Sequence, residues 1–405
     1  MMKPAVPVTS LSSSDLFAWR QEVERHITPL PAESVVVEQA IGRVTVEAIS
    51  AARPSPRFAE SLRDGFLFFP ADFITASQTG LEVCFEVAAG TRDVPELVPG
   101  SAQRIFTGGM VCAGWGAVVV PHEFCELRGG RVYPRQLPKN SYIREVGMDS
   151  AAGEILFPAG HRLSAEDVVL LVSCGVHTLS VRSRSRVALC CTGSELVAGR
   201  EPGPGEKVSV NHLFMKAALE RFYPRDFSVT LVGDEKEVLA SFFSGAIMKN
   251  ADLILTSGGM GPGRFDLVQE VFAGMGGEIF FDTLAMQPGK SLLFGRLHGA
   301  VVLGLPGPPR AVSTLTEELL VPVFRLLEGE NSEKCWPTAF AAKLLSSAGS
   351  ASRFPRLRSG VLSFLQGECF VRPVGKREQA QCHIVFPADR ELHSGDLVEV
   401  HLLPF

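Results

Sequence analysis

The stretch "TSGGMGPGRFDLVQEVF", Thr256 to Phe272, follows the apolar run "ADLIL". A buried strand runs into a loop with glycines at 258, 259, 261 and 263, and the chain then turns helical at "FDLVQEVF". Glycine lets a backbone adopt positive φ and approach another group closely. Exposed N–H groups followed by a helix start suit an anion such as phosphate. The same pattern also describes a tight strand-to-helix turn, so the loop alone decides nothing about function.

Its surroundings decide the fold. From Arg186 to about Leu327 strands alternate with helices: "RVALCCTG", "NHLFMKAALERF", "FSVTLVGDE", "KEVLASFFSGAIMK", "ADLILTSGG", "FDLVQEVFAGM". "SLLFGRLHGAVVLGLPG" reads as a hairpin feeding a buried strand, and "PPRAVSTLTEELLVPVFRLL" as a long closing helix. Such alternation predicts a mostly parallel sheet covered on both faces. Ligands of open α/β sheets bind beyond the strand C-termini. Four loops fall there, "TGSEL" (Thr192–Leu196), "VGDE" (Val232–Glu235), "TSGGMGPGRFD" (Thr256–Asp266) and "GLPGPPR" (Gly304–Arg310), all rich in glycine, small hydroxyls or carboxylates.

Nucleotide fingerprints fail. "PGKS" (Pro288–Ser291) has Leu284 where a P-loop needs its first glycine, and Gly259–Gly263 reads G-x-G-x-G rather than G-x-G-x-x-G. There is no G-x-S-x-G or H-E-x-x-H, and the nine histidines are scattered. The carboxylates say more. Asp64, Asp149, Glu195, Asp234 and Asp266 sit in turns or beside glycine, and Glu195, Asp234 and Asp266 fall in successive α/β loops. A carboxylate cluster beside a phosphate loop suits Mg²⁺, a hard cation that prefers oxygen. Each acid also reads as a solvated loop residue, and Asp266 as a helix cap.

The rest of the chain is mixed. "SSSDLFAWRQEVERHI" reads as a capped helix and "ESVVVEQAIGRVTVEAISA" as β-branched runs. Phe58 to about Lys139 is β-rich and loop-rich, in the manner of a small barrel. "GEILFPAGHRLSAEDVVLLVSCGV" reads as a strand, a glycine turn and a Ser-capped helix stopped by Gly175. From Glu328 strand-like segments suggest a small all-β module. A chain of 405 residues, 46% apolar and 20% charged, has ample core and room for about two to four domains. A net charge of −5 argues against a general nucleic-acid binder. Nine scattered cysteines without C-x-x-C argue against a disulfide framework or zinc site. The longest apolar run, "VVLLVSCGV" from Val168, is shorter than a bilayer span, and "MMKPAVPVTSLSSSD" lacks a signal-peptide core. The expected location is cytoplasmic.

Taken together, the loops resemble the molybdopterin molybdenumtransferase family (bacterial MoeA, the E domain of gephyrin). "PRFAESLRDGF" resembles its P-x-F-x-x-S-x-x-D-G-Y; "EVAAGT" and "RIFTGGMVCAGWGAVVVPHE" resemble A-A-G and R-I-x-T-G-A-x-x-P-x-G-A-D-A-V-V-x-x-E. "IREVGMDSAAGEILFPAG", "TGSEL", "SGGMGPGRFD", "MQPGKS" and "GLPGPP" are similar to further family segments in the same order. The resemblance implies a multidomain α/β plus β fold: a discontinuous N-terminal domain (1–52 and 140–182), an inserted β-rich domain (53–139), a three-layer α/β molybdopterin-binding domain (183–328) and a C-terminal β-module (329–405).

It also implies a homodimer whose active site lies between the α/β domain and the partner's inserted domain. The implied reaction inserts molybdate into adenylylated molybdopterin, with Mg²⁺-dependent release of AMP. Molybdopterin adenylyltransferase and molybdoenzymes are the implied contacts, with no nucleic acid or membrane. Carried over by position, Asp64, Asp149, Glu195 and Lys290 would be catalytic, and Asp234 and Asp266 would hold the metal. Thr192, Gly193, Ser257, Gly258, Gly259, Pro306 and Pro309 would bind the pterin and phosphates. This chain departs at Ser194, Met260-Gly261-Pro262, Pro308, Ala311, Phe66 and Gly116, and "VGKREQAQCHIVFP" lacks the family's Ser-Gly stretch. The alternative is a divergent paralogue that binds molybdopterin or its adenylate without efficient insertion, or that uses another metal such as tungstate.

Overall fold

The computed structural model describes residues 18–112, 116–261, 267–346 and 351–404. Asp266, Arg264 and the start of the first predicted helix lie outside these residues. The chain opens with α1 (Ala18–His26), which buries Trp19 and Val23, followed by β1 (Ala32–Val36), β2 (Ile49–Ser50) and β3 (Glu60–Ser61).

A six-stranded sheet follows, built from β4 (Gly65–Phe68), β5 (Leu81–Val87), β6 (Ser101–Ile105), β7 (Val118–Pro121), β8 (Cys125–Arg128) and β9 (Arg131–Pro134). Its order is β7-β4-β6-β5-β9-β8, an open sheet rather than the barrel expected for this segment. The strands β7 and β8 stand at opposite edges, and a parallel β5–β6 pair interrupts the hairpins, so the ends do not close. Before β5 lies a helix the sequence did not reveal, α2 (Phe73–Thr79). Its seven residues are too few to display a helical period. The chain then returns through β10 (Ile143–Arg144), β11 (Ile155–Phe157), α3 (Ala165–Ser173) and β12 (Thr178–Arg182), which pair with β3, β2 and β1. Helix α3 carries the expected serine cap: the Ser164 hydroxyl accepts the Asp167 N–H, and the Asp167 side chain accepts the Ser164 N–H.

The α/β unit holds β13 (Arg186–Thr192), β14 (Leu196–Val197), β15 (Lys207–Val208), α4 (Asn211–Glu220), β16 (Asp226–Val232), α5 (Lys236–Met248), β17 (Leu253–Ser257), α6 (Val268–Gly274), β18 (Glu278–Phe281), β19 (Leu293–Leu297) and β20 (Ala300–Leu305). It closes with α7 (Pro309–Leu315), a π-helical turn (Thr316–Leu320) and α8 (Val321–Leu327). The main sheet runs β16-β13-β17-β20-β19-β18, with the first four strands parallel. Period-two alternation gives it two cores. Val187, Leu189, Cys191, Leu253 and Leu255 face α4, α7 and α8, while Ala188, Cys190 and Ile254 face α5 and α6. These are the three layers the sequence predicts. The π turn has a local cause: Pro322 has no N–H for the Glu318 carbonyl, so the expected long helix widens there.

Short helix α9 (Ser332–Cys335) leads to a closed barrel of β21 (Ala339–Leu344), β22 (Arg356–Leu365), β23 (Glu368–Pro373), β24 (Cys382–Phe386) and β25 (Leu397–Leu402). All nine cysteines are free thiols. No helix among the described residues is long and apolar enough to cross a membrane.

Phe272 shows how tightly the second core is filled. It is fully buried, and a Cβ on Gly277 would lie 2.5 Å from its ring. Phe272→Ala should destabilise the protein by about 3–5 kcal/mol. A urea midpoint that falls with an unchanged slope would report this.

Candidate functional site

The sheet register places the site. Thr192 pairs with Val232, Cys191 with Ser257, and Ser257 with Leu305, so four strands end on one edge. Backbone bonds then tie the loops together: the Gly193 N–H donates to the Val232 carbonyl (3.1 Å) and the Gly258 N–H to that of Leu305 (3.0 Å).

The bareness of the glycine loop has a cause. Gly258 has φ +93°, and a Cβ there would lie 2.6 Å from the Thr192 carbonyl oxygen and 2.8 Å from its hydroxyl. At Gly259, φ +65°, it would lie 2.9 Å from that hydroxyl. Any side chain at these positions would collide with the neighbouring strand end. Met260 instead turns inward, 5% exposed, and fills the space over Gly304.

Polar groups face the resulting cradle. Among the described residues, Thr192 Oγ1 and Thr256 Oγ1 are buried without a hydrogen-bond partner. Asn211, at the start of α4, donates from Nδ2 to Ser257 Oγ (2.8 Å) and to the Gly307 carbonyl (2.8 Å), while its Oδ1 has no partner among the described residues. It clamps two loops, and sequence reasoning missed it because "NHLF" reads only as a helix beginning. Ser194, where the family carries Asp, keeps a role: its N–H donates to Asp234 Oδ2 (3.0 Å) and its Oγ accepts the Asp234 N–H (3.1 Å). Glu195 is 42% exposed at its side chain, with Lys207 Nζ at 3.8 Å. Pro306 is half-buried and accepts the Ser257 hydroxyl through its carbonyl at 3.4 Å.

Next to this cradle lies a cleft of about 1000 Å³ between α7 and the barrel. Pro309 and Arg310 line one wall; Arg356 and Arg358 of β22, with Lys376 and Arg377, line the other. The one acid among the described residues that line it, Glu378, is turned away onto Arg372 (2.6 Å) and the Gly375 N–H (2.7 Å). Burial and the neighbouring Arg356 charge push the Arg358 guanidinium below its ordinary value. Cations held together this way favour an anion between them. The "MQPGKS" loop is stitched to this wall: the Leu357 N–H donates to the Gln287 carbonyl (2.8 Å) and the Gln287 N–H to that of Pro355 (2.9 Å), and the Lys290 ammonium stands 4.9 Å from the Phe354 ring centroid. None of these barrel cations was legible as a site residue, because Arg356 and Arg358 lie in a strand and Lys376 and Arg377 in a turn distant from it in sequence.

The remaining acids are elsewhere in the chain. Asp64, just before β4, accepts the Thr107 N–H (2.7 Å) and hydroxyl (2.8 Å), and these bonds hold it below the usual carboxylate range. Asp149 pairs with Arg144, which also bonds Glu60 (2.8 Å). A single chain therefore brings Glu195 and Asp234 to the cradle and leaves Asp64 and Asp149 bonded within other sheets. The donors at the cradle are hard oxygens, including two carboxylates and the buried Thr192 hydroxyl, and they suit Mg²⁺. Among the described residues no three His, Cys, Asp or Glu converge as a ready-made cage. Mg²⁺ itself commonly uses only one or two carboxylates with substrate phosphates.

Strand ends lined by glycine and hydroxyls beside a cationic cleft define an α/β protein built for an anionic ligand. Residues 17–175 match the family model described as MoeA N-terminal region (domain I and II), and residues 188–326 match the probable molybdopterin binding domain. The molybdopterin molybdenumtransferase of a Nostoc species is 31% identical over 316 residues, covering 76% of this chain and 72% of that protein. That of Haemophilus influenzae is 28% identical over 390 residues, covering 93% and 96%. The structure of the molybdopterin biosynthesis MoeA protein from Pyrococcus horikoshii is similar with a TM-score of 0.74 at 25% identity, covering 96% of this chain and 99% of that one. The chain belongs to the molybdopterin molybdenumtransferase family, enzymes of molybdenum cofactor biosynthesis.

The loop geometry yields a test. Gly258→Ala combines an unfavourable backbone with a clash and should cost about 1–3 kcal/mol. Gly205→Ala, at a similar φ of +84° but with nothing within 4 Å of a Cβ, should cost less. Equal thermal melts for the two variants would contradict the close approach to Thr192.

Proposed function

We propose that this protein inserts molybdate into the dithiolene of adenylylated molybdopterin and releases AMP. The observation that carries this reading is the juxtaposition of the hydroxyl-lined cradle and the cationic cleft across the Pro306–Arg310 loop. The pterin phosphates would meet Gly258, Gly259, Ser257 and Thr192; the oxyanion would meet Arg310, Arg358 and the Lys290 loop. Positioning two anions in this way removes most of the entropic barrier, and the fixed cations oppose charge repulsion as they approach. Such chemistry needs no covalent nucleophile from the protein.

Asp234 and Glu195, with Asp266, would hold Mg²⁺ at the phosphates. When bound it would neutralise phosphate charge as AMP departs. Asp64 and Asp149 would reach the cradle from the second subunit of a cytoplasmic homodimer. We propose the domain division 1–52 with 140–182, 53–139, 183–328 and 329–405 on the same basis.

A second reading is binding without efficient insertion, or use of tungstate. It is favoured by Lys376 and Arg377 in the cleft, in the stretch where the family's Ser-Gly segment is missing. Purified protein given adenylylated molybdopterin, Mg²⁺ and molybdate should release AMP; pterin binding without AMP release supports the second reading. With turnover established, Asp234→Asn should lower kcat by about 10-fold or more. Arg358→Ala should weaken the response to molybdate by about 10- to 100-fold. A wild-type rate in either variant would remove that residue from the site.

A further inference from the structure

A buried ionic cluster sits where the barrel meets the closing helix. Glu318, in the π turn, is fully buried. His383 Nδ1 lies 2.7 Å from its Oε1, and His401 Nδ1 lies 2.9 and 2.8 Å from its two oxygens. The two histidines are cross-strand partners on β24 and β25. From α1, Arg20 Nη2 lies 3.8 Å from Glu318 and stands over the Trp336 ring at 5.1 Å.

His401 is the informative member. Its second nitrogen, Nε2, lies 2.9 Å from Glu399 Oε1, so both ring nitrogens face carboxylates. A neutral imidazole has only one N–H, whereas the imidazolium has two. The geometry therefore calls for the charged ring, fully buried. Burial alone would lower His401, but the bond and charge of Glu318, helped by Glu399, hold it above its ordinary value of 6.5. Burial likewise pushes Glu318 up, but its bonds to His383 and His401 pull it down to about 2.

Both walls of the cationic cleft hang on this cluster. On one side, Ser313 and Thr314 of α7 line the cleft, and Glu318 lies one turn further along the same helix. On the other, His383 is the register partner of Ser359 on β22, next to Arg358, and both Ser359 and Arg358 line the cleft.

We propose that Glu318, His383 and His401 form a positioning lock that sets the barrel's cationic wall against α7, and that loss of the His401 proton releases that wall. The inference rests on the cleft being the anion site proposed above. The sign follows from the two groups. The contribution of Glu318, lowered from 4.5, is present above that value and fades as pH falls toward 2. The contribution of His401 is complete below 6.5 and is lost as pH rises through its raised value. The lock is thus closed at pH 6.5 and opens as pH rises through the raised value of His401. Deprotonated His401 would then leave a ring nitrogen and a carboxylate oxygen facing one another, both acceptors in a dry site.

The test uses the full chain and two readouts. The first is calorimetric binding of molybdate from pH 6.5 to 9, where this probe remains a dianion. The second is hydrogen exchange at the Arg356–Ser359 amides, corrected for the intrinsic pH dependence. The wild type should lose about 10-fold in affinity, with protection falling over the same range. His401→Gln, which leaves Glu318 with His383 and Arg20, should show flat profiles in both. Glu318→Gln should bind weakly at every pH; should it fail to fold, His401→Gln alone decides. A purely structural role would shift the melting temperature and leave the wild-type pH profile in His401→Gln, and that result overturns the proposal. Absence of molybdate binding at any pH would sink the anion-site reading. The exchange arm still tests the lock in that case, and pH-independent wild-type protection would overturn it.

Discussion

The structure of the site depends on one close approach: the backbone of Gly258 and Gly259 lying against the end of the Thr192 strand. Parallel pairing of β13, β16, β17 and β20 in strict register brings four strand ends to one level. Only because two residues lack side chains can the third loop fold back over the first and leave the Thr192 hydroxyl facing inward. Asn211 then joins that loop to Gly307, and Ser194 joins the first loop to Asp234. The cradle is thus a consequence of sheet geometry completed by a few side-chain bonds.

The second part of the site comes from a different force. The barrel presents Arg356, Arg358, Lys376 and Arg377 to a cleft whose acid, Glu378, is engaged elsewhere. Holding these cations together costs free energy in the empty protein, which an anionic ligand offsets on binding. The buried carboxylate at Glu318 connects this arrangement to the rest of the fold. It anchors the barrel to the helix that begins at the cradle's edge.

The α/β unit was legible from the chain because strand and helix periods are long and clear there. The strand-end loops were legible because glycine and small hydroxyls are conspicuous beside apolar runs. The sheet of β4 to β9 leaves a weaker trace in the sequence. Its parallel β5–β6 pair leaves no mark on a local pattern, and the seven-residue α2 is shorter than two helical turns. The barrel cations, Asn211 and the Glu318–His383–His401 cluster were invisible because they are defined by contacts between distant segments. The acids Asp64 and Asp149 were picked out by motif, yet their bonds within this chain are to Thr107 and Arg144. The departures at Ser194 and Met260 turn out to be locally accommodated, one by a reciprocal hydrogen bond with Asp234 and the other by the space over Gly304.

The central claim is that cradle and cleft form one site for a phosphorylated pterin and an oxyanion. A crystal structure of the protein with adenylylated molybdopterin tests it most directly. The account predicts phosphate oxygens against the Gly258–Gly259 backbone and the Thr192 and Ser257 hydroxyls, with the dithiolene end directed toward Arg310 and Arg358. A ligand bound away from the strand ends, or in the cleft with the cradle empty, would contradict it.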